Sequence, residues 1–107
     1  MIKFKESSGN VYADLGFPDA EEMLVKAQLA TKIGEIIKRR KLSQQQAADV
    51  LGIPQSKLSK MLNGQFRGIS ETKMIDCLTK LGRDVQIVVG PARRGASAGH
   101  VAVVFSA

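Results

Sequence analysis

Gln55, Ser56, Ser59 and Lys60 place hydrogen-bonding side chains at one-, three- and four-residue steps, the spacing of one helix face. Glutamine can bond an adenine edge in two places, lysine can reach guanine O6 and N7, and serine can serve either base. Gln44 lies upstream, where its amide and the N-terminal N–H groups of a short helix could hold a phosphate. Arg40, Lys41, Lys57 and Arg67 flank the same stretch with positive charge. Taken alone, such a set also fits the solvated face of a plain αα-hairpin, because Gln, Ser and Lys are common on exposed helices.

Other chemistries lack the residues they need. One Cys, Cys77, and one His, His100, exclude a disulfide within the chain and a Cys/His zinc cage within a monomer. A nucleophile–histidine pair would have to use His100, which stands in an apolar stretch. Neither a GxxxxGK[ST] loop nor a GxGxxG run is present to cradle a nucleotide phosphate. The expectation is a protein that is not an enzyme, with no cofactor, no metal and no catalytic residue. No apolar run approaches the roughly 18 residues that span a bilayer, and Met1–Lys5 lacks a signal-peptide stretch, so a cytoplasmic location with no membrane partner is expected.

Charge is segregated along the chain. The 107 residues carry a net charge of +6. Residues 1–37 are net -2, residues 38–67 net +6, and the remainder net +2, so the middle stretch alone equals the whole excess. Clustering of this kind suits a polyanion-binding surface. Lys38 to Lys41 would equally suit the last turn of a helix, opposing its dipole.

The elements that must position these residues follow from periodicity and caps. Asp19 with Glu22 forms a candidate capping box, and Met23, Leu24, Ala27, Ala30, Ile33, Ile36 and Ile37 recur at helical steps to about Arg40, with Gly34 a candidate bend. Ser43 and Gln46 open a second helix with Leu42 as staple and Ala47, Val50 and Leu51 as its apolar face. Gly52 ends it, and Pro54 suits the first position of a third helix anchored by Leu58, Met61 and Leu62 and closed by Asn63-Gly64. Ser70 caps a fourth, with Met74, Ile75, Leu78 and Leu81 inward, Cys77 on or near that face as a buried thiol, and Gly82 as its stop. Val85–Val89 and His100–Phe105 then read as strands, forming either a hairpin or an edge that pairs across a dimer.

From Leu42 to Gly64 the demands of a helix-turn-helix are met together. Ala47 is small where two helices must cross, Gly52 allows a tight turn, Ile53 is an apolar plug, and Leu58 and Met61 anchor the second helix. These anchors turn Gln55, Ser56, Ser59 and Lys60 outward, and the basic excess lies on the same residues.

The run Leu42-Ser43-Gln44, Ala47, Leu51-Gly52-Ile53, Gln55-Ser56, Leu58-Ser59-Lys60 and Leu62-Asn63-Gly64 resembles the Cro/C1-type (XRE) helix-turn-helix. Gly9–Glu22, Gly64-Gln65-Phe66 and Leu81–Val89 are similar to the HigA-type antitoxins of that family. The resemblance implies a mainly α, four- to five-helix, lambda-repressor-like domain, here with short C-terminal β-strands. The divisions would be an arm at 1–18, the DNA-binding domain at 19–84 with its helix-turn-helix at 42–64, and the strands at 85–107. It further implies a homodimer on a double-stranded operator palindrome and a HigB/RelE-like ribonuclease toxin as partner. Gln44, Gln55, Ser56 and Lys60 match the family's DNA-contacting places; Pro54 departs from it, standing where a capping Ser or Thr is common.

A second reading is a stand-alone regulator, or a protein-interaction module without a toxin partner. Phe4, Tyr12 and Phe17 concentrate aromatic surface in the turn-rich arm, either as a contact segment or as cover for helix 1.

Overall fold

The apolar stripe that begins at Met23 produces α1 (Ala20–Arg39), the longest helix in this computed structural model, which describes residues 15–16, 18–95 and 98–106. Three shorter helices follow among the described residues: α2 (Gln44–Leu51), α3 (Gln55–Leu62) and α4 (Glu71–Lys80). The aromatics of the arm, Phe4, Tyr12 and Phe17, lie outside the described residues.

One shared core holds the helices together. Ile33, Leu51, Leu58, Met61, Met74 and Cys77 are its most completely buried large side chains, with Phe66 and Ile69 sealing the α3–α4 connection. The buried face of α1 is wider than a single stripe, because α1 packs against both α3 and α4. Val25, Leu29 and the stem of Lys26 therefore join the core, while Leu24 and Ala27 lie half-buried at its margin. Val50, expected inward on α2, is 40% exposed, and only Ala47, Ala48 and Leu51 of that helix are buried.

Local chemistry sets most helix ends. The Ser43 hydroxyl accepts from Gln46 N–H at 3.1 Å while the Gln46 side chain accepts from Ser43 N–H at 2.9 Å, the expected capping box. Ser70 caps α4 in the same way through Lys73 N–H at 3.1 Å. Asp19 stands at the N-cap of α1 without a side-chain cap bond; its carboxylate is taken by Arg67 instead, since an ion pair outcompetes a neutral cap for the same oxygen. Pro54 is the N-cap of α3 rather than its first helical residue, and its carbonyl accepts from Lys57 and Leu58. Gly34 does not interrupt α1. A Cβ added there would lie 3.3 Å from Leu62 Cδ2, so its smallness serves the close approach of α1 to α3.

All four helices close with the same pair of bonds, a 6→1 and a 5→2 link around a left-handed residue. Gly52, Gly64 and Gly82 fill that place after α2, α3 and α4. After α1 it is Lys41, at φ 58°, with Leu42 N–H donating to the Ile37 carbonyl and Lys41 N–H to that of Lys38.

The expected C-terminal strands are not seen among the described residues. Residues 85–95 and 98–106 carry no strand, and no backbone ladder joins Val85–Val89 to His100–Phe105 among the described residues. A two-stranded ribbon is marginal by itself, and here the second segment is held by α1. Val101 N–H donates to Glu21 Oε1 at 2.8 Å, His100 Nδ1 is 3.3 Å from the same oxygen, and Val103 packs against the core. Lys32 Nζ sits 5.3 Å above the Phe105 ring.

Candidate nucleic-acid interface

The left-handed Gly52 reverses the chain between α2 and α3, and Ile53, 8% exposed, is pushed into the core as the plug. Lys80 Nζ donates to the Leu51 carbonyl at 3.2 Å and pairs with Asp76 at 3.0 Å, pinning the end of α2 to α4. With Leu58 and Met61 buried, α3 can present one direction only to solvent. Helical geometry centres that direction on Ser56, with Ser59 and Lys60 beside it and Gln55 and Lys57 at its borders.

Burial agrees with this placement. Gln55, Ser56 and Lys60 are exposed, whereas Lys57 and Ser59 are half-buried. The Ser59 hydroxyl lies 3.4 Å from Asn63 Nδ2, within α3 itself. Gln44 is exposed at the first position of α2, where its backbone N–H has no intrahelical acceptor. Gln44, Gln55, Ser56, Lys57 and Lys60 have no side-chain hydrogen bond or ion pair to any described residue. Gln45 instead donates to Asp49 at 3.1 Å, occupying the lone acid of this stretch.

The flanking cations divide. Ser56, Lys57, Lys60 and Arg67 line one open cleft between α3 and the Gly64–Ile69 loop. Arg67 is committed within the molecule, because its guanidinium pairs with Asp19. Arg40 is exposed, and its guanidinium donates to the Leu81 carbonyl at 3.4 Å, beside the end of α4. Lys41 is exposed at its left-handed position between α1 and α2.

Lys26 is the positioning residue that the charge map overlooked. It is 3% exposed, donates to the Arg67 carbonyl at 3.0 Å and pairs with Glu22 at 3.1 Å. Together with Asp19 it fastens the loop after α3 to the start of α1. The signal was present, since Lys26 lies in the middle of the stripe formed by Met23, Ala30, Ile33 and Ile37.

The remaining reactive group is silent. Cys77 is fully buried, and desolvation pushes its thiol up from the ordinary value of 9.0, against the lowering influence of Lys73 and Lys80. No group of three or more His, Cys, Asp or Glu residues that could hold a metal occurs among the described residues, and no helix there is long and apolar enough to cross a membrane.

Two short helices joined by a left-handed turn, with the second turning an unpaired polar face to solvent, define a DNA-binding helix-turn-helix protein. A family model for a helix-turn-helix domain matches residues 11–90. A solved structure named as an XRE-family transcriptional regulator is similar with a TM-score of 0.75 and 38% identity, over 83% of this chain and 100% of the other. No curated protein sequence matches the chain. The protein belongs to the XRE family of helix-turn-helix transcriptional regulators.

Proposed function

We propose that this regulator is a cytoplasmic HigA-type antitoxin: a homodimer that binds an operator palindrome at its own promoter and neutralises a HigB/RelE-like ribonuclease toxin. The observation that carries the operator reading is the unpaired face of α3, where Gln55, Ser56 and Lys60 stand exposed opposite the buried Leu58 and Met61. Base edges are read by Gln55, Ser56 and Lys60, while Gln44, Arg40, Lys41 and Lys57 hold phosphates. The toxin reading rests on the resemblance of Gly9–Glu22, Gly64–Phe66 and Leu81–Val89 to that subgroup. No catalytic step, metal or cofactor is assigned.

The test is salt-titrated gel shift on the DNA upstream of the gene, with and without the product of the adjacent gene. Lys60→Ala is expected to weaken operator binding roughly tenfold or more and to relax base preference. Arg40→Ala is expected to weaken operator and random DNA alike. Equal affinity of the wild type for operator and random DNA, with the two variants indistinguishable, would refute base readout by α3. Failure of the neighbouring product to co-elute with the protein would refute the antitoxin assignment.

A further inference from the structure

Ile87, Val88 and Val89 are 80%, 84% and 90% exposed, three consecutive large apolar side chains in water, separated from the end of α4 by residues 81–86. Residues 85–95 make no backbone–backbone hydrogen bond among the described residues, so a strand-forming sequence is left with every ladder group open. The chain's own candidate partner, His100–Phe105, is engaged on α1 through Glu21 and Lys32.

Building on the homodimer reading above, we propose that Val85–Val89 of two copies pair as antiparallel strands across a two-fold axis at Ile87. The pattern is self-complementary about that centre. Val85, Ile87 and Val89 share one face, and each Val85 falls opposite a Val89 of the other copy, so the two strands present one continuous apolar surface. Charge does not oppose a like partner here: residues 85–92 carry no ionisable side chain in a chain of net +6. In this register Asp84 meets Gly90 and Arg83 meets Pro91, so no like charges oppose. Pro91, without an N–H, ends the ladder.

Sedimentation equilibrium of the full chain tests the pairing. The wild type is expected to be a dimer, and Ile87→Asp to raise its dissociation constant on the order of a hundredfold or more, since symmetry removes two buried side chains per dimer. Ile87 is 80% exposed in the single chain, so the variant is expected to keep the wild-type circular-dichroism spectrum.

Register is read by oxidation. Position 87 faces itself across the axis at a separation a disulfide can span, whereas 89 does not. Ile87→Cys is therefore expected to cross-link and Val89→Cys to remain reduced, with the buried Cys77 not competing. A wild type that stays monomeric at all concentrations, an Ile87→Asp variant that still dimerises, or equal cross-linking at 87 and 89 would overturn the proposal. If Ile87→Asp remains a dimer that binds operator, the strand pairing fails and the regulator reading stands. If the dimer forms through position 87 and binds no operator, the pairing stands and that reading fails.

Discussion

Replacing Lys41 by glycine is expected to make the protein more stable and a weaker DNA binder at once. Lys41 holds φ 58° at the end of α1, in the place that glycine fills after the other three helices. A side chain in the left-handed region costs roughly 1–2 kcal/mol through its Cβ. Glycine returns roughly 0.5–1 kcal/mol of that through its greater freedom in the unfolded chain. The net gain is about 0.5–1 kcal/mol, which for a domain of this size corresponds to a rise in Tm of about 3–6 °C.

The same substitution removes a cation from the exposed link between α1 and α2. If Lys41 holds one phosphate, the slope of log K against log salt falls by about 0.9. Lys41→Ala separates the two effects, because alanine keeps the Cβ strain and loses the charge. It should reproduce the change in salt slope without the rise in Tm. Thermal melts followed by circular dichroism and salt-titrated binding read both quantities on the same samples. A glycine variant no more stable than the alanine variant would refute the strain argument; an unchanged salt slope would refute the phosphate contact.

Two further outcomes follow from buried groups. Lys26→Met keeps the apolar stem but loses the bond to the Arg67 carbonyl, and should cost about 1–2 kcal/mol in a urea titration while speeding amide exchange in the Gln65–Ile69 loop. No loss would show that Lys26 does not hold the loop. Cys77 has a folded-state thiol raised above 9.0, so its contribution to stability is complete below that pH and is lost as pH rises past it, where the unfolded chain sheds the proton first. Wild-type stability should therefore fall more steeply above pH 9 than that of Cys77→Ala. Parallel curves for the two proteins would contradict the burial effect.

Elements governed by neighbours in sequence were legible before any fold was known. The Ser43–Gln46 box, the Ser70 cap and the Gly52 turn each depend on residues within four positions, and each stands where the sequence placed it. The outward face of α3 was legible for the same reason, since Leu58 and Met61 leave one direction for Gln55, Ser56 and Lys60. Asp19 stands at the N-cap the sequence indicated, but its capping bond does not form because Arg67, brought to its carboxylate only by folding, takes it instead. Val50 was misread as core because the bundle covers α2 over a narrower arc than its apolar pattern suggests.

The sequence by itself determined where the helices begin and end, that a basic helix-turn-helix lies between Lys38 and Arg67, and that the chain lacks the cysteines and histidines for a metal cage. Those properties rest on composition and on interactions within one helical turn. Tertiary structure alone decided which cations remain unpaired, because Arg67, Arg40 and Lys26 find their partners across 48, 41 and 41 residues of chain. It also decided the fate of the C-terminal segments. A strand is stable only through what it pairs with, and α1 engages His100–Phe105 while Val85–Val89 is left open to solvent.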